Sequence, residues 1–314
     1  MFTRRQRLAL TFFLIALCTA SVAPAFAQSS ITPPASTPTA AAPAAKPAPN
    51  SKKQPSNKLT DANGRVVILS SSTPESKEDD AINHQMVYSF GVVTETNCQT
   101  IIDKYTNDLI PVAQQAKFPK NQAKYLEIAH EAIGACQATQ GRYIEAEQNL
   151  HQALTEAEIW PGKDDSKYAD LWIALSTVQL KEEHWKDAEA SATQAVTIRQ
   201  GRIDDYNKVL PKVTGETADN IRKAIQGEQR WRCTAFSNLA YASFREGNLE
   251  QAAKLTEQAY QEGVAAKARP QNLQDIEYFG AHLADLTNNS AEAAKWAARA
   301  DTTPQPPASS TPDK

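Results

Sequence analysis

The chain has 314 residues, of which 41% are hydrophobic and 22% charged, and a formal net charge of -3. These values suit one domain of ordinary size with disordered extras; they exclude a multi-span membrane protein and give no basic footprint for nucleic acid. Twelve of the 18 prolines are Pro24, seven between Pro33 and Pro55, and four from Pro304 onward, so the centre is almost free of helix breakers, as a mostly helical domain requires.

Arg4, Arg5 and Arg7 precede a largely apolar run from Leu8 to Val22, and Ala25-Phe26-Ala27 offers small residues at the two positions a signal peptidase reads. The expectation is a signal peptide over 1–27, cleaved after Ala27, and an exported, bacterial protein, periplasmic or extracellular. Cleavage removes three arginines and no acid, which takes the net charge from -3 to -6. The apolar run is short for a ~30 Å hydrocarbon core, so no membrane span is expected in the mature chain. Residues 28–78 are expected to be a disordered linker, rich in Pro and Ala up to about residue 57. Within it, Asp61-Ala62-Asn63-Gly64 before Val66-Val67-Ile68-Leu69 predicts a turn feeding one short strand at 65–69. Residues 79–120 are expected to hold N-terminal capping helices: a short one carrying Ile82, Met86, Val87 and Phe90, and another carrying Ile101, Ile102, Tyr105 and Leu109, with Pro111 as a kink. Pro and Ser return from Thr302, predicting a disordered tail over 302–314.

Residues 121–301 contain a repeat. Gly141-Arg142-Tyr143, Glu183-His184-Trp185, Gly247-Asn248-Leu249 and Asn288-Asn289-Ser290 each open a segment in which an alanine follows five residues later, at Ala146, Ala188, Ala252 and Ala293. A second alanine recurs seven residues beyond, at Ala153, Ala195, Ala259 and Ala300. Each opening reads as a turn between two helices, and the alanines let neighbouring helices approach closely. The helix before each turn repeats too, in Ile133-Gly134, Trp172-x2-Leu175-Ser176, Phe236-x2-Leu239-Ala240 and Gly280-Ala281. With Trp172, Leu175 and Ala188 in the second copy and Phe236, Leu239, Gly247 and Ala252 in the third, the pattern resembles the tetratricopeptide repeat. The 42-residue interval from Ala146 to Ala188 is similar to the kinesin-light-chain variety. The resemblance implies an all-α fold, an α-solenoid of about four helix pairs behind an N-terminal cap. The 64-residue interval from Ala188 to Ala252 holds 22 extra residues near 203–226, expected as lengthened helices that form a hairpin.

The resemblance also implies a function. In this family the first helix of each pair lines a concave groove, which on this chain points to Ile173, Thr177, Leu180 and Lys181 in the second copy and to Ser237, Asn238, Tyr241, Phe244 and Arg245 in the third. Asn238 matches an asparagine whose amide can bond a peptide backbone. The expected partner is a protein or peptide carrying some acidic residues, held by an adaptor without chemistry of its own; the alternatives are a fixed subunit of an envelope or secretion complex, or an envelope hydrolase.

Searches for catalytic patterns support the first of these. His130-Glu131 begins like a helical zinc-peptidase motif, but the second ligand position is Gly134. His84, His151, His184 and His282 lack ligand spacing, and no phosphate or dinucleotide loop occurs. No cofactor, metal or catalytic residue is expected. Finally, an antiparallel hairpin about a turn at 117–120 places side by side residues whose numbers average about 117, which pairs Cys98 with Cys136. In an oxidising compartment these two would form a disulfide.

Overall fold

The computed structural model describes residues 58–60, 66–68, 73–87 and 97–302. The signal peptide, most of the linker and the C-terminal tail expected from the sequence lie outside the described residues. Within the linker, β2 (Val66–Ile68) pairs antiparallel with β1 (Lys58–Thr60), Lys58 opposite Ile68 and Thr60 opposite Val66.

The helical body begins earlier than the sequence suggests, with α1 at Pro74–Val87. Thr73 Oγ1 accepts the Ser76 amide at 3.1 Å, a capping bond that starts the helix ahead of its first buried apolar residue, Ile82. Glu78 then reaches across the chain. Its carboxylate accepts from the Lys117 and Phe118 amides at 2.8 and 3.2 Å and from Asn121 Nδ2 at 3.0 Å, satisfying donors that the N-terminus of α4 (Pro119–Thr139) leaves open. Although its partial burial acts to raise the carboxyl, these hydrogen bonds win and hold it below its usual range. Asp79 fixes the same helix through Lys124 at 2.6 Å and the Tyr125 hydroxyl at 2.8 Å.

The cap proper comprises α2 (Cys98–Lys104), one π-helical turn (Tyr105–Leu109) and α3 (Ile110–Gln114), which pack on α4. The expected kink at Pro111 takes the form of that π turn. A proline has no N–H to give and would collide with the carbonyl four residues before it, and widening the preceding turn relieves both.

Four helix pairs follow: α4 with α5 (Tyr143–Ala157), α6 (Ser166–Lys181) with α7 (Trp185–Val209), α8 (Gly215–Arg245) with α9 (Leu249–Ala265), and α10 (Pro270–Leu286) with α11 (Ser290–Thr302). Proline at the first turn of α4 and α10 suits an end whose amides have no helical partner, and Asp165 caps α6 by accepting the Lys167 amide at 2.8 Å. The extra 22 residues lengthen α7 and α8, joined by a 3-10 turn at Leu210–Lys212, with Ile203, Ala218 and Ile221 buried along their length.

The turn inside every pair has one geometry. Gly141, Glu183, Gly247 and Asn288, the first residues of the four sequence segments, all take positive φ, at 76°, 63°, 85° and 54°. The next amide in each case returns to the carbonyl five residues back, at 2.9, 2.9, 2.9 and 2.8 Å, the left-handed closure of a helix C-terminus. Beyond the turns, Ala146, Ala188 and Ala252 have no exposed surface, nor do Ala153, Ala195 and Ala259. Gly134 shows why size matters at these crossings: a Cβ there would lie 3.2 Å from the Ala146 carbonyl oxygen and from Leu150 Cγ. In the last pair the close approach is at Gly280, where a Cβ would stand 2.5 Å from the indole of Trp296.

Candidate functional site

The nine residues expected to line the groove divide sharply. Ile173, Leu180, Ser237, Asn238 and Tyr241 are buried, each 7% exposed or less, and this corrects the expectation that they face a partner. Ile173 packs with Ala195 and Ala235 between the second and third pairs. Asn238 is the clearest case. Its amide donates to Ser176 Oγ at 2.7 Å and to Thr177 Oγ1 at 3.0 Å, so the group suited to a peptide backbone instead ties α8 to α6. Thr177 and Phe244 are half-buried, as is Lys181, and Arg245 is exposed.

Phe244 and Arg245 lie at the C-terminal end of α8, in an aromatic group that the sequence reading missed as a unit. The Tyr241, Phe244 and Phe279 rings sit 5.6 to 6.1 Å apart, and the His282 ring is 5.8 Å from Phe244. Trp185 closes one side at 6.2 Å from Tyr241. The Arg245 guanidinium stacks 4.0 Å from the Trp185 ring, donates to the Tyr241 hydroxyl at 3.1 Å and comes within 3.6 Å of Glu183. Partial burial holds His282 below the usual imidazole range, against the nearby Asp285. Trp185 follows immediately after the positive-φ residue and its neighbour in the second turn, but Phe279 and His282 belong to the fourth copy, whose pattern is too eroded to place them from sequence.

A second, more polar group occupies the other end of the same helices. Arg199 on α7, 2% exposed, pairs with both Asp170 and Glu228. Glu228 also accepts from Ser166 Oγ at 2.6 Å and Arg202 Nε at 2.8 Å. Burial acts to raise its carboxyl, but Arg199 and the other donors outweigh it and hold Glu228 below its usual range. Beside them, Lys167 Nζ lies 2.5 Å from Glu131 and 3.6 Å from the fully buried Glu127. These groups are spent on one another across α4, α6, α7 and α8.

The abortive zinc-peptidase pattern is likewise absorbed by packing: His130 Nδ1 lies 3.0 Å from Asn149 Oδ1, and Gly134 is pressed against α5. The hairpin register expected for the cysteines does bring them together, Cys98 and Cys136 being 1% and 0% exposed, and burial with the adjacent Cys98 raises the Cys136 thiol. Both are free thiols in the structure, as is Cys233, so the expected disulfide is not present there. Burial pushes Cys233 up to about 12, with Glu262 adding to it. Among the described residues no helix is long and apolar enough to cross a membrane.

The chain is similar to the crystal structure of BtubC (BKLC) from P. vanneervenii, at 13% identity and a TM-score of 0.49, over 76% of this chain and 96% of that one. It is also similar to a crystal structure of kinesin light chain TPR-like repeats from Podosopora anserina, at 11% identity and a TM-score of 0.46, over 72% of this chain and 92% of that one. No curated protein sequence matches it. The family model of the tetratricopeptide repeat matches residues 125–201, which cover most of α4, all of α5 and α6, and the first part of α7. Residues 125–201, which fall within the first two helix pairs, are thus similar to tetratricopeptide repeats, and the same left-handed turn closes all four pairs.

Proposed function

We propose that the chain is a scaffold without chemistry of its own that holds a protein partner against the C-terminal ends of α6, α8 and α10. One observation carries this reading: the half-open aromatic group of Trp185, Phe244 and His282, with Arg245 above it, placed where three first helices end. Rings that are half-buried offer apolar area without being needed in full for the fold. Arg245 faces Glu183, whose side chain is 70% exposed. An exposed pair of this kind contributes little, so an acidic residue of a partner can replace Glu183 while an apolar neighbour covers Phe244. The partner suited to this surface is a peptide segment that combines an apolar side chain with an acidic one.

Export belongs to the same proposal, on the strength of Arg4, Arg5 and Arg7 before the apolar run and of Ala25-Phe26-Ala27. In an oxidising compartment, loss of two electrons and two protons to a disulfide-forming oxidant would join Cys98 to Cys136 and tie the cap to α4. Non-reducing peptide mapping and N-terminal sequencing of exported protein test both; alkylation of both thiols without reduction, or a chain beginning at Met1, refutes them.

The binding surface is tested by Phe244→Asp and Arg245→Glu. Quantitative capture from the native source should lose the same set of proteins with either variant while far-UV circular dichroism is unchanged. Capture that survives both places the contact elsewhere on the molecule.

A further inference from the structure

The histidines that lacked ligand spacing in the sequence do not all stay apart in the fold. Glu147 on α5, and Glu182 and His184 in the α6–α7 turn, bring one ligand atom each within 4.8 Å of one another. Glu147 is remote from the other two in the chain and belongs to the preceding helix pair. Glu182 is the unexpected member. Its side chain is 7% exposed, its Oε2 is buried without a hydrogen-bond partner, and that atom points to His184 Nδ1 at 3.8 Å. A buried carboxylate oxygen without a donor is costly unless a cation meets it. Glu147, a second carboxylate, can relieve that cost only if the two share a proton. It is oriented by Gln179 Nε2 at 2.8 Å, and the Gln179 amide in turn accepts Ser191 Oγ at 2.7 Å, an outer hydrogen-bond shell of the kind that fixes a ligand. A second imidazole stands on the same rim, His151 Nε2 lying 3.8 Å from Glu147 Oε1.

We infer that Glu147, Glu182 and His184 form a binding site for a divalent transition metal of the zinc class, which bridges the first and second helix pairs. Two carboxylates and an imidazole suit Zn²⁺ with its open position taken by water or His151, whereas Mg²⁺ prefers oxygen alone and keeps its waters. Ligands at about 2.0–2.1 Å from zinc stand ~3.3 Å apart. The His184 side chain is 51% exposed and has room to turn and close its 3.8 Å spacing to Glu182. In the metal-free protein the same arrangement raises the Glu182 carboxyl, through burial first and the facing Glu147 second, with His184 opposing. The consequence of the site is mechanical, a further pin between two repeats that also meet through packing, the Gln179–Glu147 hydrogen bond and the Lys167–Glu131 ion pair.

The experiment uses the full chain without a histidine tag and zinc alone as the probe, in competition with a chromophoric chelator at neutral pH. One zinc per chain should bind and raise the melting temperature, and a large excess of Mg²⁺ should do neither. His184→Ala and Glu182→Gln should each weaken zinc binding at least as much as the about 10–100-fold that follows loss of an outer-shell partner. Glu182→Gln also removes one of two facing carboxylates, so its metal-free melting temperature should equal or exceed that of the parent, which separates a lost site from a lost fold. Zinc binding well below one per chain, or affinity untouched by both substitutions, overturns the assignment.

Discussion

Near the start of α6 the helix pairs are joined by buried charge, and at its far end they are joined by aromatic rings. Arg199, Asp170 and Glu228 leave little choice of geometry, since removing Arg199 takes the shared partner from both carboxylates. Trp185, Tyr241, Phe244 and Phe279 are held by contact area, tolerate exposure at their margin, and keep part of that margin available. The contrast teaches that one row of helices can separate the task of fixing the stack from the task of offering a surface. Charge pairing sets register at one end, and rings are left half-open at the other.

The sharpest way to break this comparison is Arg199→Ala. It leaves Glu228 with Arg202 and Ser166 alone and Asp170 without its guanidinium, and breaking a buried pair by deleting one partner costs about 3–5 kcal/mol. Urea unfolding should show that loss in full; a change below about 1 kcal/mol would mean that the network is solvated and does not fix the stack.

Glu127→Gln works in the other direction. Glu127 is fully buried with neither carboxylate oxygen hydrogen-bonded, and burial, with Glu131 adding to it and Lys167 opposing, lifts it from 4.5 to about 8. A folded-state value above the unfolded one means that the native protein binds the extra proton. The associated stability is complete below about pH 4.5 and lost as the pH rises through about 8. Replacing the carboxyl by an amide should therefore stabilise the protein at pH 8.5 by about 1–3 kcal/mol, the cost of an unsatisfied buried group, and by almost nothing at pH 4.5. A gain that does not vary with pH would remove the titration from the explanation.

At the aromatic end the expected loss is smaller. Phe244→Ala removes a half-buried ring, so it should cost roughly half of the ~3–5 kcal/mol of a core phenylalanine, while abolishing partner capture. Equal losses of stability for Phe244→Ala and Arg199→Ala would erase the distinction between the two ends.

Much of this architecture was legible beforehand, because the turns repeat in sequence and alanines mark the crossings. The four segments opening at Gly141, Glu183, Gly247 and Asn288 give the pairs, and Cys98 beside Cys136 follows from hairpin register. The site was less legible. Spacing by three and four residues names a helix face, but it cannot say whether that face meets solvent or the next helix. For Asn238 the next helix wins, since Ser176 and Thr177 present hydroxyls to its amide. The Glu147, Glu182 and His184 cluster was invisible for a different reason: its members come from separate pairs, and only stacking joins them.

The turns themselves supply the finest test. All four adopt left-handed backbone, yet two use glycine and two do not, and for an L-residue with a Cβ that conformation costs about 1–2 kcal/mol. Glu183, with φ 63°, therefore carries strain that Gly141 and Gly247 avoid. Glu183→Gly removes it, but glycine gives the unfolded chain extra freedom that offsets roughly 0.5–1 kcal/mol of the gain. The ion pair lost with Arg245 is exposed on the Glu183 side and contributes little. The net expectation is a stabilisation of about 0.5 kcal/mol, seen as a small rise in the urea midpoint at unchanged slope. The reciprocal change, Gly247→Ala, meets no atom within 4 Å at the new Cβ, so any loss it causes comes from backbone alone. A gain at Glu183 matched by a loss at Gly247 would show that the four turns share one energetic constraint as well as one shape. No response at either position would mean that the recurrent φ is imposed by the packing of the helices and carries no cost of its own.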